Sequence, residues 1–193
     1  DAEGEAIRTP DSLTHVFHTT AGREVRDGGG ITPDIKIERD SMPTMLAYLQ
    51  YSDAFFDYVT KYNHEHPSIA SASDFVFPDA DYPAFKEYIK KSNFTYDRQS
   101  LKALDALKRV AKLEGYASSA APEIKALEAK LTHNEDFDLE HWKVQIKRLL
   151  SSEIAERYYY VKGKIQSLLI GDEAVNAAKR ILRNPEEYKR MMK

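Results

Sequence analysis

The chain has 193 residues, 42% hydrophobic and 31% charged, a composition that supports one ordinary globular domain, alone or with a flanking strand segment, and does not fit a disordered chain. The net charge is −3 with cations scattered among anions, which excludes the basic face that nucleic-acid binding needs. The absence of Cys excludes disulfides, thiolate zinc sites and cysteine nucleophiles, and no run approaches the roughly 20 apolar residues of a membrane-spanning helix.

The chain opens on Asp1, not Met, and shows no basic-then-apolar signal peptide, so it is expected to start inside a larger gene product. Leu13 to Thr19 is rich in β-branched and aromatic residues and reads as a strand limited upstream by Pro10. A glycine-dense turn follows from Gly22 to Asp34, with Gly28, Gly29 and Gly30 at its centre. Ile35 to Arg39 alternates apolar and polar at period two, as a half-buried strand does. Together these predict one or two strands of a sheet whose other strands lie upstream, with edges unpaired in isolation.

Beyond residue 40 the period becomes helical. Pro43 suits a first helical turn, and Met45, Tyr48, Leu49, Phe55, Phe56, Val59 and Tyr62 recur on one face until Pro67 stops the helix. A loop over 67–82 carries Phe75 and Phe77, expected against the core, and Pro83 opens a short helix over 84–91. Leu101, Leu104, Leu107, Val110 and Ala111 form the next stripe, ending near Gly115, and Pro122 opens a helix with Ile124, Leu127 and Leu131 on one side. The longest run, about 138–170, places Trp142, Ile146, Leu149, Leu150, Ile154, Tyr158, Val161, Ile165 and Leu168 at spacings of three and four. Gly171-Asp172 separates it from a helix carrying Val175, Ala178, Ile181 and Leu182, and Asn184-Pro185 caps a last short one. The expected fold is mainly α, a multi-helix bundle with a small N-terminal β segment, divided into 1–40 and 41–193.

The segment from Phe17 to Ile35, FHTTAGREVRDGGGITPDI, resembles the region that follows the catalytic lysine in C-terminal processing (tail-specific) serine peptidases. Gly22-Arg23 and Gly30-Ile31-Thr32-Pro33-Asp34 match the family's glycine-arginine turn and its G-I-x-P-D strand entry, whereas Ala21 stands where the family more often has Asn or Ser. The DGGGI form is similar to that of Bacteroidetes members, whose helical extension resembles residues 41–193, including the Glu153–Gly163 string EIAERYYYVKG.

The resemblance implies that the β segment belongs to a protease core. The parent would be a serine endopeptidase of the cell envelope, expected in the periplasm of a Gram-negative bacterium, trimming proteins from near their C-termini. Such enzymes use a Ser nucleophile and a buried Lys base, with a PDZ domain that captures a C-terminal tail. All of these lie upstream of the matched segment, so no catalytic residue is assigned here and the chain alone is expected to be inactive. The partners open to it on this resemblance are the upstream core and PDZ domain, the parent's protein or peptide substrates, and a second copy of the chain. No cofactor, metal, nucleic acid or membrane-spanning segment is expected. Gly22, Arg23, Gly30, Ile31, Pro33 and Asp34 read first as a structural turn, and alternatively as strands that line the cleft floor and help to position the lysine.

Other constellations have plainer readings. His64-Glu65-His66 lacks a third ligand and reads as a solvated helix end. Asp74, Asp79 and Asp81 lack the spacing of a calcium loop, and His15 and His18 fall on opposite faces of a strand. Of Tyr158-Tyr159-Tyr160, the first is expected to face the core with Val161, while Tyr159 or Tyr160 is the candidate for contact with another domain or a substrate. Two functions stay open: a helical domain that braces the protease core and shapes access to its cleft, or a helical interaction module that recruits a partner or mediates oligomerisation. An independent enzyme is disfavoured, because no activated nucleophile, acid–base pair or metal set is recognisable.

Overall fold

The computed structural model describes residues 9–28, 30, 31, 33–37, 42–131 and 135–192. The fold is mainly α, with one antiparallel two-stranded sheet near the N-terminus. The described residues form two compact units, one drawn from Asp1–Arg39 with Gly171–Lys193, the other from Asp40–Ile170.

The helical unit holds the aromatic core. Helices α1 (Thr44–Gln50) and α2 (Asp53–Glu65) replace the single helix expected after Pro43. Ser52 makes the break: its hydroxyl accepts from Phe55 N–H at 3.2 Å and donates to the Leu49 carbonyl at 2.8 Å, ending one helix and capping the next. The change of direction leaves Tyr48 and Phe56 largely exposed, off the predicted stripe. Helices α3 (Tyr82–Lys91) and α6 (Glu135–His141) are tied by Lys86 to Asp136 and Glu140, and by Lys90 to Asp136. Buried Asp138 accepts from the Tyr96 hydroxyl at 2.9 Å and lies 3.5 Å from the Arg98 guanidinium, so the carboxylate is partnered.

The core is built by Leu49, Phe55, Tyr58, Val59 and Tyr62 from α1 and α2, and by Phe85 and Ile89 from α3. Leu139 of α6 adds to it, as do Ile146, Leu150 and Ile154 of the long helix α7 (Lys143–Leu168). Its rings meet edge to face around Tyr58, whose centroid lies 5.0 Å from Phe85 and 5.4 Å from Tyr88. Phe75 and Phe77 are buried, as their apolar character in a loop predicts. Helices α4 (Gln99–Leu113) and α5 (Ala121–Leu131) pair with each other and are joined by Lys108–Glu128 at 2.7 Å. On α4 only Leu104 and Ala111 are buried, while Leu107 and Val110 remain about half exposed.

The run expected as one helix over 138–170 is interrupted twice. Trp142 separates α6 from α7, and α7 turns a corner at Tyr160, where φ is 57° and ψ −163°. The corner reverses one expectation: Val161, Ile165 and Leu168 leave the core stripe and stand 60%, 53% and 55% exposed.

In the other unit, β1 (Val16–His18) and β2 (Glu24–Arg26) form a hairpin, pairing Val16 with Arg26, Phe17 with Val25 and His18 with Glu24. The glycine-rich stretch therefore contributes a strand of its own and is not all turn. Ile35, Lys36 and Ile37 are not strand, although they alternate; with Ile31 almost fully exposed and no third strand beside the hairpin among the described residues, their pattern has no ladder to join. Glu38 and Arg39 lie outside the described residues. Helices α8 (Glu173–Leu182) and α9 (Pro185–Met191) start on side-chain caps, Asp172 accepting from Val175 N–H and Asn184 from Glu187 N–H.

The two limbs of α7 predict opposite outcomes for the same kind of truncation. Ile154→Ala should cost about 2–5 kcal/mol of unfolding free energy, whereas exposed Val161→Ala should change it by less than about 0.5 kcal/mol. Urea unfolding of both variants, followed by circular dichroism, measures the contrast.

Candidate functional site

Two places gather the residues singled out by sequence: the hairpin with its glycine turn, and the tyrosine triple on α7.

The hairpin reverses over Thr19–Arg23. Gly22 takes φ +85°, its N–H donates to the Thr19 carbonyl at 2.9 Å, and Thr19 N–H donates to the Arg23 carbonyl at 2.9 Å. The Thr19 hydroxyl accepts from Arg23 N–H at 3.1 Å, so the short loop is bonded internally. At the open end His15 N–H donates to Asp27 at 2.7 Å and the His15 ring to its other oxygen at 3.1 Å, which holds the Asp27 carboxyl below its ordinary pKa.

The motif residues meet across this turn. The Arg23 guanidinium forms an ion pair with Asp34 and donates to the Met191 carbonyl at 3.2 Å. Arg23 and Asp34 are thus brought together, while Gly30 (φ +70°), Ile31 and Pro33 lie along the connecting chain; Thr32 falls outside the described residues. Every residue of both strands is exposed, with Phe17 at 54%, Val16 at 44% and Val25 at 40%. Because neighbouring strand residues point to opposite faces, the hairpin shows apolar side chains on both sides.

The tyrosines diverge. The Tyr158 hydroxyl donates to the His66 and Asn63 carbonyls, the latter at 3.3 Å, and the Tyr159 hydroxyl lies 3.2 and 3.1 Å from the carbonyls of Ile69 and Ala70. Tyr160 is 81% exposed. These contacts belong to a wider set that the sequence reading missed. Ser151 accepts from the buried N–H of Phe77 at 2.9 Å, and Lys143 and Lys147 lie 3.2 and 3.0 Å from Asp79. Serines and lysines recurring every four residues beside the apolar stripe were the available signal.

The remaining candidates separate. Asp79 is engaged by Lys147 and Lys143, which lower its carboxyl pKa, while Asp81 accepts from the Tyr62 hydroxyl at 3.4 Å and Asp74 from Ser71. The His66 ring stacks on Tyr62 at 3.9 Å and donates to the Tyr62 carbonyl, and His64 is exposed. No group of three or more His, Cys, Asp or Glu that could hold a metal occurs among the described residues, and no helix is long and apolar enough to cross a membrane.

This is a mainly α domain whose side-chain chemistry serves packing and loop anchoring, preceded by a strand pair with exposed apolar faces. Residues 45–182, more than two thirds of the chain, match the family model described as "Probable PDZ-protease, C-terminal helical domain". The chain belongs to that family, which bears out the resemblance to the C-terminal region of a processing protease. No curated protein and no solved structure matches it.

Burial also sets an alkaline limit. Tyr62 is pushed up from the ordinary 10.0 to about 12, by desolvation first and by Asp81 second, and burial raises Tyr58 and Tyr82 as well. The folded state therefore holds these protons more tightly than the unfolded chain. The stability this contributes is whole below pH 10 and is lost as pH rises through 12. The urea midpoint should fall across that window, with a block of tyrosinate absorbance appearing only on unfolding, and Tyr62→Phe should shrink the fall.

Proposed function

We propose that this chain is the non-catalytic C-terminal region of a Ser-Lys C-terminal processing endopeptidase of the bacterial envelope, with its catalytic residues upstream. The helical domain braces the protease core and shapes substrate access. The observation that carries the reading is the hairpin: two short strands with apolar residues exposed on both faces fit the interior of a larger sheet and make a poor free-standing unit. The Arg23–Asp34 pair fixes the path of the chain leaving it. Membership of the PDZ-protease helical-domain family is consistent with this placement.

A second reading has its own support. Leu107, Val110, Tyr116, Ile124 and Leu127 line an apolar groove of about 370 Å³ between α4 and α5. Such a surface suits an interaction module that recruits a partner or a second copy.

Casein digestion separates the readings. This chain should be silent, and a version extended upstream through the expected Ser and Lys should cleave. Removing residues 41–193 from the extended protease should then lower its melting temperature or change its substrate selectivity. Activity in the short chain, or an extended protease indifferent to the deletion, would overturn the proposal; the latter result favours the interaction module.

A further inference from the structure

The corner in α7 opposes what its own sequence encodes. Tyr160 occupies φ 57°, ψ −163°, a backbone region that glycine alone enters without strain. The pivot residue is neither proline nor glycine. Ile154, Tyr158, Val161, Ile165 and Leu168 are spaced four, three, four and three, the seam of one unbroken amphipathic helix. The proximal limb, 143–159, buries its part of that seam at Ile154 and half-buries Tyr158; the distal limb, 161–168, leaves its part exposed.

Two features hold the bent form. Lys164 Nζ lies 2.6 Å from Glu153 Oε1 and 2.8 Å from Glu156 Oε2. In a straight helix, residues eight and eleven apart are separated by about 12 and 16 Å along the axis, so both pairs exist only because the chain turns back. The three groups are mostly sheltered, at 28%, 19% and 29% exposure, which limits screening by salt. Gly163 supplies the room. A Cβ there would lie 2.3 Å from Tyr159 Cβ and 2.8 Å from the Ala155 carbonyl oxygen, so any larger residue opens the corner.

From this opposition of strain and latch we infer that α7 is a latched hinge, whose segment 161–170 exchanges between the corner and a continuation of the proximal helix. Lys164, Glu153 and Glu156 form the latch and Tyr160 the pivot. The strain at Tyr160 and the continuous seam favour the straight form. The two charge-assisted bonds to Lys164 favour the corner, and anything that neutralises them releases the segment.

The chain contains no Cys, so Arg148→Cys and Gln166→Cys, both at exposed positions, give a uniquely spin-labelled pair in the full chain. Pulsed electron–electron resonance should show a dominant short distance with a minor population near about 27 Å, the rise of eighteen helical residues. Glu153→Gln with Glu156→Gln should raise the long population about tenfold, and Gly163→Ala should do the same. Tyr160→Gly should remove it and raise the melting temperature. Latch and Gly163 variants that stay folded at the short distance would overturn the hinge. If those variants unfold, Tyr160→Gly decides: no change in the distance distribution or the melting temperature overturns it equally.

Discussion

The helical unit depends on one division of labour along α7. Ile146, Leu150 and Ile154 enter the core, while Lys143, Lys147, Ser151, Tyr158 and Tyr159 beside them engage the irregular segment between α2 and α3. That segment has few helical bonds of its own, and its buried backbone groups need partners from elsewhere. Ser151 meets the buried N–H of Phe77, the two lysines hold the exposed carboxylate of Asp79, and Tyr158 and Tyr159 hold the carbonyls of His66, Ile69 and Ala70 at the other end of the segment. The loop is pinned along the helix by these contacts, with Phe75 and Phe77 in the core. Loss of Ser151 alone would strand a buried N–H, at a cost of about 1–3 kcal/mol.

The core itself was legible because helical periodicity reports burial directly. Leu49, Phe55, Val59, Tyr62, Ile146, Leu150 and Ile154 sit on the expected face and are buried. The helix starts at Pro83 and Pro185 followed from proline at a first turn, and Phe75 and Phe77 from large apolar side chains in a loop with nowhere else to go. The pairing of Ser151 with Phe77 was not legible. It joins residues 74 positions apart, and nothing local marks which serine will serve which amide.

Where the reading failed, geometry overrode pattern. Ser52 both ends and begins a helix with one hydroxyl, so a continuous apolar stripe conceals two axes. Tyr160 bends a run whose spacing never breaks, and the cause lies in Gly163 and Lys164 further on, meaningful only once the limbs are close. The hairpin went the other way. Its glycine turn was recognised, but the strand inside it was not, because Glu24-Val25-Arg26 is too short to show a period. Of the motif residues, Arg23 and Asp34 converge, a pairing their eleven-residue separation does not announce.

The two units differ in how far they satisfy themselves, and that difference bears on function more than any single residue. The helical unit closes a core of interlocking rings and partners its buried Asp138. The hairpin buries no strand residue, yet its turn, its open end and its exit are each fixed by a specific bond: Thr19 to Arg23, His15 to Asp27, Arg23 to Asp34. Order without burial is costly to a free hairpin, since the entropy of fixing the chain is offset by little buried apolar area. Such a hairpin gains most where its Phe17 and Val25 face another sheet. A strand pair already ordered in this way meets such a partner with much of its conformational entropy cost already offset.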